Sequence, residues 1–498
     1  MKQNSFFYDF GKAAFGTCKL ELESETSVEI EAVIGECLRN GKIDREPGGW
    51  RYVNVRRIPL SPGRREYVFP LELRPPTHNG GVVSPLQGQE IAPFRYVEIN
   101  GPCKVYACVR HEVFPAEFRD EDSYFVSSDE KLNSVWEFCK YSLKATAAFG
   151  IFIDGERERL PYEGDTYINQ LGWFCCCADP RIPRVTIEHL LKNPTWPSEW
   201  QLLMPVIARD YLLYSGDDAS VKRWIPALEE RLLNSRVGED GLFYGDERNP
   251  KDIVDWPISE RDGYEFGKTN LVPNCYRYGA LLAMAELTGD EHYTQGAAVL
   301  REVIRNSMLK GKVFTDSPDS LHSALHSKIF PLFFGVGTVE ECTGIPEAGM
   351  GCSVYGAQFL LETMFRNGMS DSALELLRND GDRGWLNMMK QGSTITMEAW
   401  SNKVKPNQDW NHAWGAAPGN IIPRFVAGVR PVQPGFRQFV IDPHPGDLKE
   451  FSFRMPIPGN KYIKVEYAGH RIKAVVPENT TALLGGRVFE SGIHTCEL

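Results

Sequence analysis

Up to about residue 120, apolar and polar positions alternate with a period of two. Cys18-Lys19-Leu20-Glu21-Leu22, Ser27-Val28-Glu29-Ile30 and Phe94-Arg95-Tyr96-Val97-Glu98-Ile99 each send alternate side chains to one face, with Gly, Pro and Asn turns between them. Residues 1–120 therefore predict an antiparallel β-sandwich. From Ser127 the apolar spacing becomes three and four, and Ser127-Ser128-Asp129-Glu130 offers the cap and the acidic first turn of a helix over 129–149. Helical patterns follow at 163–178, 182–192, 197–215, 218–236, 272–288, 290–310, 321–333, 351–368, 371–380, 384–391 and 412–428, the last interrupted by Pro418 and Pro423. Twelve helices joined by alternately short and long loops, with no strands between them, predict six antiparallel pairs closed into an all-α (α/α)6 barrel over 121–430. A TIM barrel would need strands between the helices, and a four-helix bundle far fewer helices. After Val429 the period returns to two, in Lys461-Tyr462-Ile463-Lys464-Val465-Glu466-Tyr467 and Arg471-Ile472-Lys473-Ala474-Val475-Val476, which predicts a C-terminal antiparallel β-sandwich over 431–498.

Composition narrows the classes. The 498 residues are 42% hydrophobic and 24% charged, as in folded globular chains. A net charge of −11 is opposite to the footprint of a nucleic-acid binder. No run of eighteen apolar residues is present, so a membrane span is not expected. Asp9 and Lys12 interrupt the N-terminal apolar residues before a secretion signal can form, which points to the cytoplasm, or to the periplasm if a leader has been removed. The twelve cysteines are scattered, with Cys175, Cys176 and Cys177 adjacent, and read as small buried hydrophobes of a reducing compartment.

Two constellations carry candidate chemistry. Asp154-Gly155-Glu156-Arg157-Glu158-Arg159-Leu160-Pro161-Tyr162-Glu163-Gly164-Asp165 packs five carboxylates and two guanidiniums into twelve positions. A solvated loop with surface ion pairs is the plain reading. Apolar Ile151-Phe152-Ile153 before it, and Ile168, Leu171, Trp173 and Phe174 after it, instead anchor the charges between buried segments, where closely set carboxylates acquire unequal proton affinities. The second constellation is Thr394-Ile395-Thr396-Met397-Glu398-Ala399-Trp400 with Asp409-Trp410-Asn411-His412-Ala413-Trp414-Gly415. A carboxylate among tryptophans is either a paired structural group or a functional one. Trp196-Pro197-Ser198-Glu199-Trp200 and Asp255-Trp256-Pro257-Ile258-Ser259-Glu260-Arg261-Asp262 repeat the mixture, which suits sugars: their faces stack on Trp and their hydroxyls need acids, Arg and His.

The run Glu158-Arg159-Leu160-Pro161-Tyr162-Glu163-Gly164-Asp165 resembles the E-R-L-G-W-x-G-D signature of the α-L-rhamnosidases of glycoside hydrolase family 78. Thr396-Met397-Glu398-Ala399-Trp400 is similar to that family's T-x-W-E-x-W segment, and Asn411-His412-Ala413-Trp414-Gly415-Ala416 to its N-H-x-x-x-G-A stretch. Phe94-Arg95-Tyr96-Val97-Glu98 and Pro434-Gly435-Phe436-Arg437-Gln438-Phe439 extend the likeness to both flanks. The resemblance implies an inverting, metal-independent hydrolysis of terminal α-L-rhamnose with no cofactor. Glu158 would be the general acid and Glu398 the general base; Asp154, Arg157, Tyr162, Asp165, Trp200, Asp255, Trp256 and His412 would bind the sugar. The partner would be a rhamnosylated oligosaccharide or glycoside, with a homo-oligomer completing the cleft as one option. Pro161-Tyr162 stands where the family has Gly-Trp, which leaves a hydrolase of another deoxy or uronic sugar open, and a non-catalytic carbohydrate-binding protein is the rival from another class.

Other signals are weaker. His322 and His326 have i, i+4 spacing but lack the Glu of H-E-x-x-H, Cys175–Cys177 have no C-x-x-C partner, and Gly349-Met350-Gly351 and Gly485-Gly486 read as turns.

Overall fold

The computed structural model describes residues 4–78, 80–245 and 252–497; Met1–Gln3, which the leader reading covers, lie outside them. The N-terminal strands are β1 (Asn4–Ser24), β2 (Val28–Gly35), the short ribbon β3 (Leu38–Arg39) and β4 (Lys42–Ile43), then β5 (Val53–Leu60), β6 (Gly63–Val68), β7 (Ala92–Gly101) and β8 (Lys104–Glu112). The six long strands hydrogen-bond as one sheet, in the order β5-β2-β7-β1-β6 with β8 also on β1. β1 serves both halves because its register shifts between Asp9 and Ala14: its first half pairs with β7, its second with β8 and β6. The alternation seen in the sequence places Cys18, Leu20 and Leu22 in the sheet's core with Ile30, Ile34, Phe94 and Ile99.

The helices are α1 (Glu130–Thr146), α2 (Glu163–Cys176), α3 (Arg181–Lys192), α4 (Ser198–Ser215), α5 (Asp218–Glu230), α6 (Leu271–Thr288), α7 (Glu291–Met308), α8 (His326–Phe334), α9 (Ile345–Ala348), α10 (Gly356–Arg366), α11 (Ser370–Leu377), α12 (Trp385–Lys390) and α13 (Pro418–Ile421). Asp129 caps α1 by accepting from Lys131 N and Leu132 N at 2.9 and 3.1 Å. α2, α4, α6, α8, α10 and α13 pack in succession, each on the next, and α13 returns to α2. α2 and α10 are buried on every side and α4 and α6 nearly so, whereas α3, α5 and α7 bury one stripe. Inner helices thus alternate along the chain with half-exposed outer ones. Among the described residues, no helix is long and apolar enough to cross a membrane.

Two helical expectations change. The segment at 321–333 starts its helix only at His326, because the buried Asp316 carboxylate accepts from Ala324 N at 2.9 Å and pairs with His322 Nδ1 at 2.6 Å, holding the preceding residues as a loop. His322 and His326 therefore share no helix face. The segment at 412–428 breaks into a 3₁₀ turn (Ala413–Gly415), α13 and a π turn (Ile422–Val426), since Pro423 has no N–H to continue an α-helical ladder.

The C-terminal strands are β12 (Val429–Pro431), β13 (Gln438–Ile441), β14 (Glu450–Ile457), β15 (Lys461–Ala468), β16 (Arg471–Val476), β17 (Thr481–Leu484), β18 (Arg487–Phe489) and β19 (Gly492–Glu497); a ribbon of β10 (Leu309–Lys310) and β11 (Val313–Phe314) precedes them. They form a four-stranded sheet, β12-β13-β17-β18, and a five-stranded sheet, β19-β16-β15-β14-β9, whose edge strand β9 (Tyr124–Ser127) comes from just before α1. β13 and β17 run parallel, contrary to the fully antiparallel expectation, because the chain between them passes through the other sheet. All cysteines are free thiols, and all but Cys108 and Cys496 are buried.

Candidate active site

The charged run after Ile153 is a loop tied at its base: Asp154 N donates to Leu160 O at 3.0 Å, and Leu160 N to Asp154 Oδ1 at 2.9 Å. Gly155, at φ 119°, lets this loop touch the second constellation, since a Cβ there would come within 2.5 Å of Asp409 Oδ2 and 2.9 Å of Asn411 O. Glu156 N also donates to Asn411 Oδ1 at 2.7 Å. Beyond it the side chains diverge. Arg159, in a left-handed conformation at φ 52°, turns outward to Glu156 and to Glu90, each at 2.9 Å. Arg157 turns inward, with Nη2 2.9 Å from Glu398 Oε1 and 3.4 Å from Glu158 Oε1. The Tyr162 hydroxyl donates to Glu158 Oε2 at 2.7 Å, and the Glu158 side chain is 24% exposed.

Segments that connect the N-terminal strands hold this loop from behind. Arg74 donates to Glu156 Oε1 at 3.0 Å and to the carbonyls of Glu156 and Arg157. Glu36 accepts from Asn411 Nδ2 at 3.0 Å and from Tyr52 N at 2.7 Å, and burial pushes its carboxyl up to about 8.

Glu398 is only 1% exposed. Its backbone is fixed by Trp414 Nε1, which donates to its carbonyl at 2.9 Å, and by pairing of its N–H with Asp409 O at 3.4 Å. Oε1 is held by Arg157 and, at 3.1 Å, by Lys405 Nζ, whereas Oε2 has no protein hydrogen-bond partner. Burial, helped by Asp409, raises the proton affinity of Glu398 above that of an ordinary glutamate; His412, Arg157 and Lys405 oppose it. His412 lies 2.7 Å from Asp165 and 3.3 Å from Asp409. Burial pulls its pKa down, but the two carboxylates win and hold it well above the ordinary histidine value. Donor atoms of Glu398, Asp409 and His412 fall within 4.8 Å of one another. This set suits a metal ion poorly, because the cations Arg157 and Lys405 already hold Glu398 Oε1 and both His412 nitrogens already face carboxylates.

Glu398, His412, Arg157 and Lys405 line a cavity of about 530 Å³, with Asp409 buried behind them. Trp200 meets Tyr162 edge-on at 5.4 Å and Trp414 at 6.3 Å, forming an aromatic wall with Trp256. Gly164 carries no side chain because Trp200 lies against it: a Cβ would stand 2.7 Å from Cε2. Of the residues singled out from the sequence, Asp154, Arg157, Glu158, Tyr162, Asp165, Trp200, Trp256, Glu398 and His412 all reach this cavity. Asp255 does not line it. It is buried behind Trp256, accepting from Trp256 N at 2.8 Å and Ser353 N at 2.9 Å, pairing with His326 Nε2 at 2.8 Å and bonding the Ser353 hydroxyl, so it positions the Trp256 loop. Lys405, Trp196 and Trp414 line the cavity and were missed as site residues. The two tryptophans stand inside motifs already conspicuous for their aromatics; nothing in Lys403-Val404-Lys405-Pro406 marks Lys405.

The sequence family described as the bacterial α-L-rhamnosidase 6-hairpin glycosidase domain matches residues 120–176 and 178–426, and the bacterial α-L-rhamnosidase C-terminal domain matches 428–485. Similar solved structures include a family 78 rhamnosidase of Bacillus sp. GL1 (TM-score 0.76, 19% identity, 96% of this chain and 51% of that one) and an α-L-rhamnosidase of Aspergillus terreus (0.76, 19%, 99% and 63%). A third is the Streptomyces avermitilis α-L-rhamnosidase complexed with L-rhamnose (0.77, 17%, 99% and 52%). This chain thus spans between half and two thirds of the length of those proteins. No curated protein sequence matches it. The helical domain and the C-terminal β-domain, matched over most of the chain, mean that this protein belongs to the bacterial α-L-rhamnosidase six-hairpin glycosidase family.

Proposed function

We propose that this protein hydrolyses terminal α-L-rhamnosides with inversion, Glu158 acting as general acid and Glu398 as general base. The observation that carries the reading is that two carboxylates from distant segments share one guanidinium, Arg157, on the wall of one aromatic cavity. Glu158, partly exposed and steadied by the Tyr162 hydroxyl, gives its proton to the glycosidic oxygen. Glu398, held at Oε1 by Arg157 and Lys405, keeps Oε2 to take a proton from the attacking water. Asp154, Arg157, Asp165 and His412 bind hydroxyls, while Tyr162, Trp200 and Trp256 enclose the ring and the 6-deoxy methyl group.

Within this reading the ring of inner helices is an (α/α)6 barrel, the bent N-terminal sheet folds as a sandwich, and the domains are 1–120, 121–430 and 431–498, with β9 lent to the last. The substrate is a rhamnosylated oligosaccharide or glycoside.

Hydrolysis of aryl α-L-rhamnoside, α-L-fucoside, α-L-arabinoside and β-D-glucuronide, with the product anomer followed by proton NMR, tests the reading. Rhamnoside turnover releasing the inverted sugar supports it. Turnover of another glycoside alone moves the specificity to a different deoxy or uronic sugar, and sugar binding with no turnover favours a binding protein. The anomer matters because one nitrogen, 2.9 Å from Oε1 of Glu398 and 3.4 Å from Oε1 of Glu158, keeps those two oxygens closer than the roughly 6.5–9.5 Å of inverting pairs. A retained anomer would make Glu398 the nucleophile.

A further inference from the structure

A second cavity, of about 580 Å³, adjoins the first and shares Glu158, Tyr162 and Trp196 with it. A general acid protonates the oxygen that joins the severed sugar to its leaving group, so it must stand where their two pockets meet. On the proposed function, on which this inference rests, Glu158 stands at that boundary, and the second cavity is the place of the leaving group.

The chemistry of the cavity narrows what that group is. Trp196 is 46% exposed, lines both cavities and packs on no other aromatic ring among the described residues, which leaves its indole available to a sugar ring. Its segment is rigid: buried Glu163, from the same run as Glu158, accepts from Thr195 N at 3.1 Å and from the Thr195 hydroxyl, and Gln201 Nε2 donates to Thr195 O at 2.7 Å. Asn193 and His78 add hydrogen-bonding groups. The full cation on this wall is Lys192, the last residue of α3, exposed and without an ion-pair partner among the described residues. Among the described residues, the one carboxylate on the wall is Glu158 itself. In a chain of net charge −11, an unpaired lysine on the same cavity wall as this tryptophan is a local reversal of sign.

We infer that the second cavity binds a hexuronate as the leaving group, its ring on Trp196 and its carboxylate on Lys192. A phenolic leaving group would use Trp196 and leave Lys192 idle; a neutral sugar would do the same.

The test compares three rhamnosides that differ only in the leaving group: rhamnosyl-glucuronate, rhamnosyl-glucose and 4-nitrophenyl rhamnoside. The wild-type enzyme is expected to prefer the uronide over the glucoside by about 10-fold in kcat/KM, the worth of one charge-assisted contact. That preference falls toward unity in Lys192→Ala and in high salt, and survives in Lys192→Arg. Trp196→Ala lowers kcat/KM on both disaccharides together. Equal wild-type rates on uronide and glucoside, or a preference untouched by Lys192→Ala, overturn the hexuronate assignment while 4-nitrophenyl rhamnoside turnover leaves the proposed function standing. No turnover on any of the three overturns both.

Discussion

Nη2 of Arg157 lies 2.9 Å from Oε1 of Glu398, an ion pair between the neighbour of the proposed acid and the proposed base. It joins the loop after Ile153 to the loop after Thr394, so the arrangement of the two carboxylates is a property of the assembled cavity rather than of either segment.

Removing either carboxylate's chemistry is the first expectation. Glu158→Gln and Glu398→Gln should each lower kcat by about 10²–10⁴-fold, the usual contribution of general acid–base catalysis, while circular dichroism shows a folded chain. Unchanged turnover in one variant removes that residue from the mechanism.

Lys405 gives a pH test. A base works only when deprotonated, and burial already holds Glu398 above the ordinary range while Lys405 opposes that shift from 3.1 Å. Lys405→Met should therefore move the acidic limb of the kcat profile to higher pH. A limb that stays in place separates Glu398 from the observed ionisation.

Gly164→Ala adds a methyl group 2.7 Å from Trp200 Cε2. The indole must shift, at a cost of about 1–3 kcal/mol in stability. Inhibition by free rhamnose should weaken with it, and a melting curve beside an inhibition constant reads both effects.

Arg159→Met leaves Glu90 buried without its guanidinium and Glu156 with that of Arg74 alone. Breaking a buried pair from one side costs about 3–5 kcal/mol, so the urea midpoint should fall well below that of the wild type. A midpoint within error of the wild type would show that Arg74 alone suffices for Glu156.

Glu36 makes stability depend on pH. Its carboxyl titrates at about 8 in the folded chain because burial disfavours the charge, against an unfolded value of about 4.3. The folded state holds the extra proton across that window, so the stabilisation is complete below the unfolded value and is lost as pH rises toward 8. The melting temperature of the wild type should fall between pH 5 and 8 more steeply than that of Glu36→Gln.

Much of this was legible in the chain. Periods of two and of three to four record which side of a local element meets the core, so strands to about 120, a helical middle and a final β region could be read directly, whereas the segments at 321–333 and 412–428 were broken by Asp316 and Pro423. The clusters around Glu158 and Glu398 were legible for a related reason: charges flanked by Ile153, Ile168 and tryptophans cannot all be solvated. Pairings across great sequence distance were not legible. β9 completes a sheet through Phe451↔Ser127 and Phe453↔Phe125, and no local pattern announces a partner so far along the chain. Asp255, adjacent to Trp256, proved to be a support rather than a wall, because neighbours in a turn point in opposite directions and only the packing of Ser353 and His326 decides which faces the cavity. Lys405, and the brace that Glu36, Arg74 and Glu90 extend from the loops between the N-terminal strands, likewise depend on which surfaces meet. The sequence by itself determined the succession of β, helical and β regions and the residue types able to do acid–base chemistry, because both are recorded in local spacing and side-chain chemistry. The tertiary structure alone decided which charges pair, because an ion pair depends on distances that only the folded topology sets.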